Sequence, residues 1–231
     1  MHLQPHDVQA VHIAPDGLEG LLGMCDAPRG VVMFAHGSGS GRFSPRNNHV
    51  AAGLRQAGLA TLLLDLLRPE EEAVRAKVFD IPLLAARLAS ATRWAAQQQE
   101  LARLPVGYFG ASTGAGAALL AAADPDLEIA AIVSRGGRPD LAGTALSQVR
   151  APTLLIVGGL DTQVIALNRQ ALAQLPGEKE LRIVPGASHL FEEPGTLDEV
   201  LALAIDWFAD HIPASAMPGQ ARQTPTQKPL F

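Results

Sequence analysis

Short, nearly continuous apolar runs alternate along this chain with longer stretches in which apolar residues return every three or four positions. The short runs are Val31–Ala35, Ala60–Leu64, Val106–Phe109, Ile129–Val133, Thr153–Val157 and Leu181–Val184. Runs of this kind, without polar alternation, are read as strands covered by helices on both faces of a sheet. The longer spacing predicts helices at Pro45–Ala57, closed by Gly58, and at Leu83–Leu104, Gly114–Ala123, Val164–Leu175 and Leu197–Ala209. Pro69–Ala76 is acidic and starts a further helix, with Glu70, Glu71 and Glu72 favourable at its N-terminus. Val8–Ile13 and Leu18–Met24 flank the turn Asp16-Gly17 and are expected to form an antiparallel edge. The alternation of strand and helix implies right-handed crossovers, a mostly parallel sheet and the α/β class.

The pattern fades near Pro213, where Pro, Gln, Ser and Thr take over. Residues 1–212 are therefore expected to form one domain and 213–231 a loosely ordered tail. The chain has 231 residues, 48% hydrophobic and 18% charged, which excludes a disordered chain. A net charge of -5 without a basic run argues against binding to nucleic acid. The single Cys25 excludes a disulfide scaffold and any CxxC site, and fits a reducing cytoplasm. The N-terminal MHLQPHDVQAVHIAPDG has no apolar core of a signal peptide, so the expected location is cytoplasmic. The longest uncharged stretch, Leu104–Ala123, is broken by glycines and a proline, and reads as a buried strand turning into a buried helix. No membrane span is expected.

Gly110-Ala111-Ser112-Thr113-Gly114 lies between a predicted strand and a predicted helix and matches G-x-S-x-G. A serine nucleophile needs a sharp turn at the carboxyl end of a strand, and flanking glycines let strand and helix backbones approach. The alternative is a purely structural tight turn. No G-K-[ST] and no G-x-G-x-x-G precedes a helix, so nucleotide binding loses ground. A serine hydroxyl also needs a base oriented by an acid, expected in the order Ser, Asp or Glu, His. Asp161 follows the Thr153–Val157 strand and His189 follows the Leu181–Val184 strand. Of the seven histidines only His189 and His211 follow Ser112, and His211 ends a helix. Asp161 has an alternative reading as a helix N-cap, and His189 as a solvated loop residue. Glu192, Glu193 and Asp65 are rival acids, the two glutamates being read as first-turn helix carboxylates.

The loop His36-Gly37-Ser38-Gly39-Ser40-Gly41 follows the Val31–Ala35 strand. It can aim the Ser38 amide, with Gly37 next in line, at a carbonyl oxygen that the Thr113 amide also meets, making an oxyanion hole. His36 is read as the histidine that holds this loop. Arg135 and Arg138, in Ser134-Arg135-Gly136-Gly137-Arg138-Pro139-Asp140, are candidates to bind a substrate carboxylate, as are Arg42 and Arg46. The bland alternative is an Arg–Asp140 pair that caps a helix over Asp140–Leu146.

Together the segments VVMFAHGSGSGR, YFGASTGAGAALLAAA, SRGGRPDLAG, APTLLIVGGLDTQVIALNR and IVPGASHLFEEPG resemble the α/β-hydrolase superfamily, and in it the dienelactone hydrolase-like family, from about Gly30 to Ala209. The resemblance implies an eight-stranded, mostly parallel sheet with helices on both faces and a Ser112–His189–Asp161 triad. It departs from the dienelactone hydrolases proper, which carry cysteine where this chain has Ser112. Only residues 134–152 lie where many relatives insert a lid, so no substantial cap domain is expected. Relatives of this type are also found joined to phosphoribosyltransferase domains, and none is expected within these 231 residues. The expected activity is hydrolysis of esters or thioesters of small acyl groups, without cofactor or metal, by a monomer or homodimer acting on a small-molecule ester. The rivals are a peptidase or amidase using the same triad, and a binding module that keeps the scaffold without catalysis.

Overall fold

A computed structural model describes residues 8–212 of the protein; the expected tail at 213–231 lies outside the described residues. One sheet holds β1 (Val8–Ile13), β2 (Leu18–Gly23), β3 (Val31–Ala35), β4 (Ala60–Leu64), β5 (Val106–Ala111), β6 (Ile129–Arg135), β7 (Thr153–Gly158) and β8 (Lys179–Val184). Their spatial order is β1-β2-β4-β3-β5-β6-β7-β8. β1 pairs antiparallel with β2, and β2 with β4. Every pairing from β4 to β8 is parallel. The helices are α1 (Pro45–Gln56), α2 (Pro69–Glu72), α3 (Arg75–Val78), α4 (Ile81–Ala95), α5 (Thr113–Ala122), α6 (Thr162–Gln174) and α7 (Thr196–His211), with a 3-10 segment at Pro139–Gln148.

Strand alternation sorts the core into two layers. Val31, Met33 and Ala35 of β3 join one apolar cluster with residues of α4 and α5. Val32 and Phe34 join a second cluster with residues of α1 and α7. Phe34 and Phe109 meet in that second layer with ring centroids 5.0 Å apart. Both rings are buried, and truncating either to alanine would cost about 3–5 kcal/mol.

Four expectations change. The helix expected to reach Leu104 stops at Ala95, because Gln97-Gln98-Gln99-Glu100 carries no apolar face and the chain turns back to bury Leu101. The acidic stretch forms two single-turn helices, separated at Val74, whose φ of -95° and ψ of 96° are extended. β8 is an edge strand rather than a doubly covered one, and Ile183 is exposed. The segment expected as a helix over Asp140–Leu146 is 3-10 in character and packs on α5 and α6. Among the described residues, it is all that stands between β6 and β7.

Candidate active site

β5 runs two residues further than its apolar run, to Ala111, and α5 begins at Thr113. Ser112 alone makes the turn, with φ 49° and ψ -124°. A non-glycine residue held at such angles carries strain on the order of 1–3 kcal/mol, and persists only where its surroundings hold it. Here the Ser112 carbonyl accepts the Ala115 amide at 3.1 Å and the Arg138 amide at 2.9 Å. The flanking glycines are required by close approach. A Cβ on Gly110 would lie 2.5 Å from Ala115 Cα, and one on Gly114 would collide with the Ala35 and His36 carbonyl oxygens.

The loops after β7 and β8 bring the other two predicted residues to Ser112. His189 Nδ1 lies 2.6 Å from Asp161 Oδ2, and His189 Nε2 lies 3.3 Å from Ser112 Oγ. Asp161 precedes α6, but its side chain makes no cap bond and goes to His189 instead. The two loops are stitched together by the Gly159 amide on the Val184 carbonyl at 2.8 Å and the Leu160 amide on the Ala187 carbonyl at 3.0 Å. The rival acids are engaged elsewhere. Glu192 accepts from Arg46 at 2.9 Å and Glu193 accepts the Ser188 amide at 3.0 Å. Both stand before α7 rather than in its first turn, and they fasten the histidine loop.

The glycine-rich loop after β3 is held as expected of His36. Its Nδ1 lies 3.0 Å from the Gly37 carbonyl, while Nε2 accepts the Leu66 amide at 3.2 Å. With Nε2 accepting, Nδ1 carries the proton. Asp65 fixes the far end, accepting the Arg42 amide at 2.6 Å and the Arg42 guanidinium. The Ser38 amide is not free in this arrangement, for it donates to Thr113 Oγ1 at 3.1 Å. Thr113 is the first residue of α5, so its own amide has no acceptor within the helix.

A cavity of about 580 Å³ opens beside the serine, a size common for small-molecule sites. Gly37, Ser38 and Thr113 form one wall, and a Cβ on Gly37 would lie 2.8 Å from Ser112 Cβ. Phe43, Arg46, Leu67, Glu72, Val78 and Leu84 form the rest. The contribution of α2, α3 and α4 to this wall has no signal in the sequence, since these positions are scattered and carry no motif.

The candidate arginines divide. Arg138 Nε and Nη2 donate to the Asp140 carboxylate at 2.8 and 2.7 Å, so the structural pair describes it better than a substrate contact. Arg42 is held by Asp65 and stacks over the Phe43 ring at 4.6 Å. Arg135 is buried, and neither Nε nor Nη1 has an acceptor among the described residues. Burial, together with the nearby charge of Arg46, lowers its pKa to about 10. Among the described residues no three His, Cys, Asp or Glu side chains gather as a metal site, and no helix is long and apolar enough to cross a membrane.

No family model matches the sequence. A solved structure does: the chain is 54% identical to a dienelactone hydrolase from Anabaena variabilis, with a TM-score of 0.86 over 90% of this chain and 99% of that one. The chain belongs to the dienelactone hydrolase family of α/β-hydrolases. A second likeness bears on the length of family members. A Mycobacterium tuberculosis protein named "Putative phosphoribosyl transferase" is 61% identical over 210 residues, covering 91% of this chain and 47% of that protein. This chain thus spans about half the length of the curated relatives it matches. Est1E from Butyrivibrio proteoclasticus shares the fold alone, at 17% identity and a TM-score of 0.74 over 88% of this chain and 98% of that one. In this dienelactone hydrolase family member the elbow residue is Ser112, where the sequence resemblance leads one to expect cysteine.

Proposed function

We propose that the protein is a serine hydrolase of the carboxylesterase type that cleaves esters or thioesters of small acyl groups. The observation that carries this reading is the chain of contacts from Ser112 Oγ to His189 Nε2 at 3.3 Å and from His189 Nδ1 to Asp161 Oδ2 at 2.6 Å. Both distances suit a nucleophile, a base and the group that orients the base.

Ser112 Oγ attacks the acyl carbon while His189 Nε2 takes the hydroxyl proton. The Asp161 carboxylate holds the imidazole with Nδ1–H toward it and stabilises the imidazolium. Negative charge develops on the former carbonyl oxygen, which the Thr113 amide meets at the N-terminus of α5. The Ser38 amide joins it once it turns from Thr113 Oγ1. His189 then gives its proton to the leaving alcohol or thiol, and the acyl group stays on Ser112. Water, deprotonated by His189, attacks the acyl-enzyme and releases the acid with Ser112 restored.

Small substrates are favoured by the modest cavity, and the single Cys25 is compatible with the cytoplasm. The transferase name of the Mycobacterium relative belongs to a protein about twice the matched length, and we assign this chain hydrolase chemistry only. A fluorophosphonate probe followed by peptide mapping tests the reading. One adduct, on Ser112, is expected. Ser112→Ala is expected to lower turnover of a p-nitrophenyl ester by at least about 10³-fold with an unchanged melting temperature. A folded protein that takes no adduct would favour the binding-module reading. Turnover of aminopeptidase substrates above that of esters would favour the peptidase.

A further inference from the structure

We infer that Asn168, a buried residue of α6, is a positioning residue for the reaction: through two successive peptide units it aims the Thr113 amide at the oxyanion. The inference rests on the serine hydrolase reading, which supplies the oxyanion.

Asn168 stands about two helical turns beyond Asp161 and is fully buried. Its Nδ2 donates to the Gly137 carbonyl at 2.9 Å and to the Val164 carbonyl at 2.8 Å. Two carbonyl acceptors at one end of the amide fix which atom is nitrogen, since only nitrogen donates. Its Oδ1 is buried without a partner among the described residues. An unmet buried amide oxygen costs free energy that an apolar side chain would avoid. The Val164 bond stays within α6, whereas the Gly137 bond leaves it for the loop after β6.

The Gly137 carbonyl and the Arg138 amide belong to one peptide unit. That unit is planar and trans, so the two groups point in opposite directions. Its carbonyl meets Asn168, and its N–H donates to the Ser112 carbonyl at 2.9 Å. The Ser112 carbonyl and the Thr113 amide form a second such unit. Its carbonyl is held by the Arg138 amide, and by the Ala115 amide at 3.1 Å, so its N–H faces the other way, where Thr113 lines the cavity. A line of donors and acceptors thus runs from Asn168 through the 137–138 and 112–113 peptides to the oxyanion.

Asn168 sets the direction of this line. Gly137 has no side chain to anchor it, and Gly136 before it takes a φ of 52°. Ser112 sits at φ 49° and ψ -124°, and relaxing that ψ rotates the very peptide that carries the Thr113 amide. Hydrogen bonds in series also polarise one another, so a donor on the Gly137 carbonyl strengthens the Arg138 and Thr113 donors as charge develops. A helix rooted at Asp161 thereby steadies the turn at Ser112.

Two variants and one observation on the wild-type protein test this. Asn168→Leu removes both donors at nearly the same volume. Asn168→Ser keeps a donor for the carbonyl four residues back and drops only Gly137, and it carries the test if Asn168→Leu does not fold. Rates are taken per serine titrated to completion with a fluorophosphonate, which counts only folded sites. For p-nitrophenyl acetate, kcat/KM per titrated serine should fall on the order of 10-fold, less than the roughly 10²–10³-fold that follows outright removal of an oxyanion donor. Phenylboronic acid, which adds to the serine as a tetrahedral anion, should bind more weakly by the same factor. The acid limb of the kcat/KM profile should keep its wild-type midpoint, because Asp161 and His189 stay in place. In the wild-type protein the Asn168 Nδ2 proton resonance should move downfield when phenylboronic acid binds. A purely structural Asn168 predicts instead a lower melting temperature and fewer titrated serines, with normal turnover on each. That result, a displaced acid limb, or an Asn168 resonance indifferent to the boronic acid overturns the inference. A wild-type protein that takes no fluorophosphonate overturns the serine hydrolase reading and this inference with it, whereas labelled variants with normal turnover overturn this inference alone.

Discussion

Arg87 and Arg135 are buried to nearly the same degree, 8% and 7% exposed, yet their surroundings are opposite. Arg87, on α4, faces a carboxylate that matches its fork. Nη1 and Nη2 donate to Glu71 at 2.5 and 2.9 Å, and Nη1 also reaches the Leu66 carbonyl at 2.9 Å. Glu71 further accepts from Lys77 at 2.8 Å and from Arg68 at 3.2 Å. This cluster fastens α2 and α3 to α4, and so holds the wall of the cavity that Glu72 and Val78 form. Arg135 has no such partner among the described residues. Arg87 is a buried charge answered by a carboxylate; Arg135 is a buried charge without one among the described residues.

The contrast can be broken most sharply at Glu71. Glu71→Gln leaves Arg87 buried without a charge to face, and should cost about 3–5 kcal/mol, read as a lower urea midpoint and a melting point roughly 10 °C lower. If the loss is as small as that of a surface pair, the contrast with Arg135 is false. Replacing both partners, Glu71→Leu with Arg87→Met, should recover most of the loss, because two apolar side chains remove the desolvation problem together. Failure to recover would mean that the cluster fixes geometry that packing alone does not.

Acid sharpens the same point. Hydrogen bonds from Arg87, and to a lesser extent Lys77 and Arg68, hold the Glu71 carboxyl well below the usual carboxylate range. A group whose pKa is depressed on folding binds fewer protons in the folded state than in the unfolded one. Its stabilisation is therefore full above about pH 5 and drains away as pH falls through the acid range. Urea midpoints at pH 7, 5 and 3.5 should fall more steeply in the wild-type protein than in Glu71→Gln. The smallest effect belongs to Arg138, whose pair with Asp140 is partly exposed. Arg138→Ala should cost no more than about 1 kcal/mol, read as a urea midpoint close to the wild-type value.

Much of the cleft was legible because its signals are local or ordered along the chain. Gly110 and Gly114 around Ser112 announce a turn that only close backbone approach requires, and Asp161 and His189 stand after successive strands. The helix ends were less legible. The Leu83–Leu104 pattern kept its alanines and leucines past Ala95, and only the return of Leu101 to the core ended the helix. Sequence gave no reason to choose among Glu70, Glu71 and Glu72, since all three suit a helix start. Burial chose Glu71, through a partner 16 residues away. Nor did it separate Arg135 from Arg138, which differ by three positions and by whether a carboxylate is within reach.

The sequence by itself determined the layered α/β class, the strand that ends in the tight turn at Ser112, and the chain order of the three residues that meet there. These follow from periodicity and from short-range stereochemistry, which each segment carries with it. Only the tertiary structure decided which charges are paired, which strand lies at the edge, and that the Ser38 amide rests on Thr113 Oγ1. Arg138 and Asp140 lie within one short segment, but burial, and pairs such as Arg42 with Asp65 or His189 with Asp161, depend on what distant segments bring to the same place.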